Sequence, residues 1–330
     1  MRAFVTGGTG FIGGALVRAL RGRGDEVTAL VRTPERAEHL RHLGCELVAG
    51  DLDDEDAIRR GLDGADAAFH AAAVYRIGIK RDEADEMEHV NVGGAERVLR
   101  LARDAGTARV VHVSTVNVFG NTGGEVVDES YERRGEDFVS EYDRTKFRAH
   151  GIAVEHGARI AMPGATYGPG DTSQLGDQVR QAMRGRLPYL SFPTLGVNAV
   201  HVDDVAGGLV LVHDRGRPGE AYVLGGELTT MKALITCAAR VAGKRTPRVT
   251  MPTTVIRAIA PLGPALKPMG LPPNLREVVA ASDGVTYWAS DARARAELGY
   301  QSRTLEDGML DLYAAEHASG GAHGPVRQGL

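Results

Sequence analysis

The sequence has few of the features that mark disulfide-bonded, metal-binding, nucleic-acid-binding or membrane-spanning proteins. Its 330 residues include only two cysteines, Cys45 and Cys237, which argues against a disulfide framework and indicates reduced thiols without a metal site. The formal net charge is -4, so no nucleic acid is expected as a partner. No apolar run approaches the ~18 residues of a membrane-spanning helix, and the strand-like start after Met1 indicates no cleavable signal. We therefore expect a cytoplasmic protein that does not contact a membrane.

The first half of the chain alternates short apolar runs with helical patterns. Five runs are candidate strands, at 2–6, 26–31, 46–49, 67–71 and 110–114. Helical patterns lie between them, for example over 11–23 and 90–105. Strands separated by helix-length segments predict right-handed βαβ units and a parallel sheet. Because the strand cores are almost entirely apolar, we expect helices on both faces of a doubly wound α/β fold.

A glycine-rich segment lies directly after the first predicted strand and opens a helical pattern. It reads Thr6-Gly7-Gly8-Thr9-Gly10-Phe11-Ile12-Gly13. In this context Gly7 permits a sharp turn, Gly10 permits the backbone to approach a pyrophosphate, and Gly13 permits the helix to pack closely on the strand. The pyrophosphate would rest on the unpaired N–H groups of the first helical turn. The segment therefore predicts a dinucleotide site.

The residue at the end of the second predicted strand indicates which nicotinamide nucleotide binds. Enzymes that use NAD place an acidic residue there, which holds the ribose 2′-hydroxyl. This chain has Arg32, which can pair bidentately with a 2′-phosphate, and Arg36 could assist. The alternative is that Arg32 stacks on the adenine or faces solvent. We predict NADP(H) as the cofactor, with NAD(H) possible.

Tyr142 and Lys146 are four residues apart, a spacing that places them on one face of a helix. An adjacent cation favours the ionised form of a phenol, so Lys146 is expected to lower the pKa of Tyr142. Lys146 can also bind the nicotinamide ribose, while Tyr142 exchanges a proton with a carbonyl or alcohol oxygen. Thr115 follows a buried strand and could hydrogen-bond the same substrate oxygen.

The second half of the chain differs in character. Seven of the fourteen prolines lie between Pro247 and Pro273, within an apolar stretch that predicts either a lid over the substrate or an interdomain or dimer contact. The segment His201-Val202-Asp203-Asp204 is interpreted as the N-cap of a helix and not as a metal site. The Gly-rich tail from Ala318 is expected to be disordered.

At this point the ordered motifs resemble those of the extended short-chain dehydrogenases/reductases, a family also called the NAD-dependent epimerase/dehydratase superfamily. The resemblance covers roughly residues 1–315. The motifs that carry it, besides the glycine loop and the Tyr142–Lys146 pair, are Gly50-Asp51-Leu52, His70-Ala71-Ala72-Ala73, Asn91-Val92-x-Gly94, Ser114-Thr115-x-x-Val118-Phe119-Gly120, Tyr167-Gly168-Pro169-Gly170, His201-Val202-Asp203-Asp204-Val205 and Asp291 to Glu297-Leu298-Gly299-Tyr300.

The resemblance implies a role for each matching residue. Thr115, Tyr142 and Lys146 would be catalytic, and the last two would also contact the cofactor. The remaining residues expected to line the cofactor are Gly7, Gly10, Phe11, Ile12, Gly13, Arg32, Asp51, Leu52, Ala71, Ala72, Ala73, Pro163 and Gly164. The resemblance also implies a homodimer and two interleaved domains. Residues 1–165, with 197–215 returning, would form the dinucleotide-binding domain, and 166–196 with 216–315 a smaller substrate-binding domain.

Departures from the family pattern narrow the expected chemistry. Family members that eliminate water resemble one another in an Asp-Glu pair after the catalytic Thr, and this chain has Val116-Asn117 there. The diphosphate-gripping Arg of the nucleotide-sugar epimerases is missing near Ser282, although Arg276 could substitute. The chain is therefore most similar to the dihydroflavonol-reductase branch. Candidates for lining the substrate pocket are Tyr75, Val116, Tyr167 and Phe192.

The predicted function is reduction of a ketone or aldehyde on a fairly apolar small molecule, or the reverse oxidation of an alcohol, with NADP(H). One alternative is a nucleotide-sugar 4-epimerase or 4-ketoreductase. Net consumption of NADPH would mark a reductase, whereas an epimerase recycles its cofactor and shows none. A second alternative is a dinucleotide-binding sensor without turnover, against which the complete set of Thr115, Tyr142 and Lys146 argues.

Overall fold

The computed structural model describes residues 1–133, 137–262 and 271–319 of the chain. Within these ranges ten strands run in chain order as β1 (Arg2–Thr6), β2 (Glu26–Val31), β3 (Glu46–Ala49), β4 (Ala67–His70), β5 (Arg109–Val113), β6 (Arg159–Pro163), β7 (Ala165–Tyr167), β8 (Gly196–His201), β9 (Ala221–Leu224) and β10 (Glu227–Thr230). Seven of them form one parallel sheet in the order β3-β2-β1-β4-β5-β6-β9. The predicted α/β fold is confirmed, and the five predicted strands match β1 to β5 within one residue at each end.

Helices cover both faces of this sheet. The helices of the described residues are α1 (Phe11–Gly22), α2 (Glu38–His42), α3 (Glu55–Leu62), α4 (Arg81–Glu88), α5 (Gly94–Asp104), α6 (Glu141–Glu155), α7 (Gln174–Met183), α8 (Val202–Arg215), α9 (Met231–Val241), α10 (Thr253–Ile259), α11 (Leu275–Ala280) and α12 (Leu305–Ser319). Successive side chains of β1 point to opposite faces of the sheet. Val5 packs in the same cluster as Leu16 of α1, whereas Phe4 packs on the other side with Ile58 of α3.

A second, smaller sheet has the order β10-β8-β7, with β10 antiparallel and β7 parallel to β8. Its side chains share an apolar cluster with α7, α9 and α12, which includes Tyr167, Leu234 and Met309. This unit lies in the chain segments that the sequence assigns to substrate binding, but two boundaries differ. Residues 197–215 were predicted to return to the dinucleotide-binding domain, but β8 belongs to the smaller sheet. Within this range it is α8 that packs against α1 of the larger unit. β9 joins the large sheet, because its short apolar run pairs with β6 at the sheet edge.

The proline-rich segment is described only in part. Residues 263–270 fall outside the described ranges, as do residues 320–330, which contain most of the tail that the sequence predicts to be disordered. Within the described part, α10 and α11 pack against each other, and Ile256 and Val279 form a small apolar cluster with Phe192. No described helix combines the length and apolar character that crossing a bilayer requires.

Candidate active site

The glycine-rich loop joins β1 to α1 at the carboxyl edge of the sheet, where the strand order reverses between β1 and β4. Gly7 has a φ of 75°, and a Cβ there would lie 2.6 Å from the backbone nitrogen of Ala72. A Cβ on Gly13 would overlap the carbonyl oxygen of Gly7. The N-cap of α1 is Gly10, which has no side chain to cap the helix. The first helical N–H groups therefore point at a cleft in which an anion can accept them.

The chain that leaves β4 forms the other wall of this cleft. The Thr6 hydroxyl is 2.8 Å from Nδ1 of His70, and the backbone N–H groups of Ala71 and Ala72 donate to the carbonyl and hydroxyl oxygens of Thr6. Ala71 and Ala72 are half-buried and Ala73 is exposed. The alanines after β4 thus lie close to the glycine loop, and this approach is possible because Gly7 has no side chain.

The residues predicted to bind the adenosine end lie after β2 and β3. Asp51 accepts hydrogen bonds from the backbone N–H groups of Asp53 and Asp54, which shapes the turn after β3. Leu52 packs against Gly94 of α5. A Cβ on Gly94 would lie 2.6 Å from Cδ1 of Leu52. Arg32 is exposed at the end of β2, and no carboxylate among the described residues pairs with it. Its guanidinium is available to an anionic group.

Lys146 is buried beneath the carboxyl edge of the sheet, on the helix that also carries Tyr142. Its Nζ donates to the carbonyl oxygen of Val113, the last residue of β5, at 2.7 Å. Burial lowers the pKa of Lys146 to about 8, because a desolvated ammonium is less stable than a hydrated one. The lysine is therefore poised to exchange a proton near neutral pH.

Tyr142 lies beside Tyr75, with the two ring centroids 4.6 Å apart in an edge-to-face arrangement. Burial, and then the neighbouring Tyr75 and Asp143, raise the pKa of Tyr142 well above its ordinary value, while a hydrogen bond with Thr115 acts in the opposite direction. The prediction that Lys146 lowers this pKa is wrong in this structure. The reason is that the ammonium is directed at the Val113 carbonyl, so the loss of hydration dominates. Tyr142 consequently keeps its proton at neutral pH.

A hydrogen-bonded chain leads from Thr115 into the interior. The Thr115 hydroxyl donates to Oδ1 of Asn117 at 3.2 Å, and the Asn117 backbone N–H donates back to Thr115 Oγ1. Nδ2 of Asn117 donates to Asp143 at 3.0 Å, and the Tyr287 hydroxyl donates to the other oxygen of Asp143 at 3.3 Å. The sequence predicted none of the links to Asp143. The one sign in the sequence that Asp143 could belong to the site was its position next to Tyr142.

Two buried histidines and one half-buried histidine lie near Lys146. His70 of β4, His112 of β5 and His150 of α6 have pKa values that burial lowers first and the Lys146 ammonium lowers further, to about 3 for His70 and about 4 for His150. His150 is fixed by a 2.9 Å hydrogen bond to the Ser114 hydroxyl. All three are neutral at neutral pH, so they supply Lys146 with polar surroundings but no counter-charge.

The remaining predicted site residues have a clear structural setting. Pro163 is buried at the end of β6, and Gly164 lies against the carbonyl oxygen of Asn198, where a Cβ would not fit. His201 is the N-cap of α8, and its Nδ1 accepts from the backbone N–H of Asp203. Asp204 binds Arg303. In the described ranges no group of three or more His, Cys, Asp or Glu side chains could hold a metal ion.

The four candidate pocket residues divide into two sets. Tyr75 is 57% exposed and lies at the ring of Tyr142, so it borders the reactive phenol. Val116, Tyr167 and Phe192 are buried in apolar clusters. Tyr167 in particular fills the core of the smaller unit against Gly308, which explains why it does not reach the cleft.

One carboxylate, just beyond the proline-rich segment, accepts hydrogen bonds from two parts of the chain that border the cleft. Glu277 of α11 accepts hydrogen bonds from the backbone N–H groups of Gly78 and Ile79, in the loop after β4. Its other oxygen accepts from the N–H of Glu141, the first residue of α6. α11, which follows the proline-rich segment, therefore makes an intrachain contact with the loop after β4 and with the turn that carries Tyr142.

Comparisons with known proteins give relatives over the whole length of the chain. Residues 3–225 match the NAD dependent epimerase/dehydratase family. The 4-hydroxy-2-methyl-3-oxo-4-farnesyl-3,4-dihydroquinoline-1-oxide ketoreductase of Stigmatella aurantiaca is 33% identical over 98% of each protein. A putative dihydroflavonol 4-reductase of Synechocystis sp. is 31% identical, over 93% of this chain and 92% of its own. The crystal structure of gox2253 has a TM-score of 0.83 at 30% identity and covers 96% of this chain and 98% of its own.

Proposed function

The chain belongs to the NAD-dependent epimerase/dehydratase family, and we propose that this oxidoreductase is an NADPH-dependent carbonyl reductase. The proposed substrate is a ketone or aldehyde of a fairly apolar small molecule. Two relatives that align over nearly the whole chain are named a ketoreductase and a putative dihydroflavonol 4-reductase, which supports this class. The observation that carries the proposal is the placement of Tyr142 and Lys146 on one helix: the Tyr142 ring contacts Tyr75 in the loop after β4, and Lys146 Nζ binds the last residue of β5.

The residues around the cleft fit a dinucleotide. The close approach of the glycine loop to Ala72 leaves no room for side chains, and the uncapped start of α1 supplies N–H groups for a pyrophosphate. Asp51, Leu52 and the alanines after β4 would line the adenosine and the central part of the cofactor. Arg32 would pair with the 2′-phosphate, and Pro163 and Gly164 would lie at the nicotinamide end. A bound NADPH supplies the hydride that reduces the carbonyl carbon.

The side chains of this site provide the proton. In reduction, Tyr142 donates its phenolic proton to the carbonyl oxygen, which becomes the hydroxyl of the product. In the structure the Thr115 hydroxyl donates to Asn117, which fixes its orientation beside Tyr142. Once Tyr142 has lost its proton, the Thr115 hydroxyl can turn and donate to the phenolate. Lys146, with a pKa of about 8, can supply the proton that restores the phenol.

A screen of carbonyl compounds tests the proposed function. We expect the purified chain to consume NADPH with apolar ketones or aldehydes, followed by absorbance, and to produce one alcohol per cofactor oxidised. A nucleotide-sugar 4-epimerase would instead interconvert its substrates with no net change in cofactor. Binding of NADPH without turnover of any compound would contradict the reductase and favour a sensor.

Arg32 is expected to determine the preference for NADPH. Because an exposed guanidinium at the end of β2 would pair with the 2′-phosphate, Arg32→Ala should lower kcat/KM for NADPH about 10- to 100-fold and change the value for NADH less than about threefold. Arg41→Ala, which removes another exposed arginine, on α2, is the matched control and should leave both values unchanged. Equal losses with the two cofactors would show that Arg32 does not contact the phosphate.

We also propose a cytoplasmic homodimer. Phe147 and Val154 of α6 are 42% and 45% exposed, and seven residues apart they lie on one face of the helix. Covering this face with a second copy would bury both. Light scattering is expected to give twice the mass of the 35.1 kDa chain, and Phe147→Glu to shift it toward the monomer. A monomeric mass for the wild-type chain would contradict the dimer.

A further inference from the structure

We infer that Asp143 is a positioning residue for the proposed reaction: its buried carboxylate sets the orientation of the Asn117 amide, and through it the direction of the Thr115 hydroxyl beside Tyr142. The inference rests on the proposed function, because it concerns how Thr115 is oriented beside the proton donor Tyr142. It adds three residues to the site that the sequence predicted, Asn117, Asp143 and Tyr287.

The argument begins with the burial of Asp143. Its side chain is fully buried, at 0% exposure, and it accepts from Asn117 and from Tyr287. Its own backbone N–H donates to the Ser140 hydroxyl, which caps α6. A carboxylate so placed is held on both oxygens and cannot reach a substrate. It can act only through the groups that it binds.

The second step concerns the Asn117 amide, which has a donor end and an acceptor end. A charged carboxylate accepts hydrogen bonds and donates none, so Asp143 must face the NH2 end of Asn117. The carbonyl end then faces Thr115, where it accepts the hydroxyl proton at 3.2 Å. The Thr115 oxygen in turn accepts from the Asn117 backbone N–H. As long as Asp143 is charged, the Thr115 hydroxyl therefore has one fixed orientation.

The third step concerns loss of that charge. A protonated Asp143 can donate as well as accept, so the Asn117 amide can turn and the Thr115 proton is no longer held. The groups that face Asp143 are the phenols Tyr75, Tyr142 and Tyr287 and the guanidinium of Arg133. Burial outweighs the hydrogen bonds and Arg133, and raises the pKa of Asp143 to about 6. Activity should therefore fall as the pH drops through this value.

The decisive experiment measures the pH dependence of kcat for the wild type and for Asp143→Asn, from pH about 5 to about 8. The wild type is expected to lose activity below about pH 6, where His70 and His150 stay neutral and so do not titrate. Asp143→Asn should lower kcat about tenfold, abolish this acidic limb and change the NADPH Kd less than about twofold. A wild type without the limb, or a variant that keeps it, overturns the inference.

Tyr287→Phe provides the second variant, which keeps the carboxylate and removes one hydrogen bond. Because that bond lowers the pKa of Asp143, its loss should move the acidic limb to higher pH. An unchanged limb in Tyr287→Phe overturns the inference even if Asp143→Asn fails to fold.

A stability measurement separates failure of this inference from failure of the proposed function. The pKa of Asp143 is raised from 3.8 to about 6 on folding, so the folded protein binds the proton more tightly. Compared with Asp143→Asn, the wild-type Tm should be relatively highest below pH about 4 and decline as the pH rises through about 6. If no carbonyl is reduced but this trend appears, the proposed reaction fails while the charge state of Asp143 stands. A Tm difference independent of pH overturns the inference.

Discussion

Tyr142→Phe is expected to lower kcat/KM for carbonyl reduction about 10²- to 10⁴-fold, because it removes the proton donor and leaves the ring in place. The aromatic contact with Tyr75 and the position of Lys146 do not depend on the phenolic oxygen. The Kd for NADPH should therefore change less than about threefold. Stopped assays of product, together with NADPH fluorescence titration, measure both quantities.

The matched control is Tyr189→Phe, which removes the same atom from a tyrosine that is 40% exposed and lies between α7 and β8. It should keep the wild-type kcat/KM. Retention of more than about a tenth of the activity by Tyr142→Phe would assign proton donation to another group. The same assays with Thr115→Val would then show whether the alternative proton donor depends on the Thr115 hydroxyl and its partner Asn117.

Gly13→Ala should have the second largest effect, because a single methyl group there overlaps the carbonyl oxygen of Gly7. Either the first turn of α1 or the glycine loop must move, at a cost of about 1–3 kcal/mol in the free energy of unfolding. The movement also displaces the N–H groups that would bind the pyrophosphate. We expect the NADPH affinity to fall at least about tenfold, as measured by titration calorimetry, and the denaturation midpoint to fall with it.

The neighbouring Gly14 offers a close control within the same helix. A Cβ on Gly14 would meet the Gly8 carbonyl at 3.5 Å and the Arg18 side chain at 3.8 Å, which are ordinary contacts. Gly14→Ala should therefore be tolerated and stabilise α1 by about 0.5–1 kcal/mol, because alanine loses less chain entropy than glycine. If Gly13→Ala behaved like Gly14→Ala, the close packing of the loop would not be needed for cofactor binding.

Local patterns in the sequence were sufficient for five of the seven strands of the large sheet. β1 to β5 are short apolar runs between helical patterns, and each was predicted within one residue. The acidic helix α4 has a single buried residue, Met87, and so lacks the apolar periodicity that identifies helices. β9 is four residues long, and nothing in the run Ala221–Leu224 indicates which of two sheets it joins. Its partner, β6, lies some 60 residues earlier in the chain.

Site residues close together in sequence were predictable, and those brought together by folding were not. The spacing of Tyr142 and Lys146 and the glycine loop could be interpreted because the chemistry depends on neighbours along one helix or turn. The hydrogen bond between Tyr287 and Asp143 joins residues 144 positions apart, and that between Glu277 and Gly78 joins residues 199 apart. The direction of the Tyr142 pKa depends on burial, which the spacing to Lys146 does not reveal.

The late return of β9 means that the two units cannot be inherited or exchanged as separate pieces. A fragment that stops at residue 165 would lack β9, so residues Ile160 to Pro163 of β6 would lose their strand partner. It would also lack α8, whose Val202 and Ala206 cover Ala15 of α1. A single cut in the chain would therefore leave the large sheet and the smaller unit both incomplete, because segments of the two alternate along the sequence.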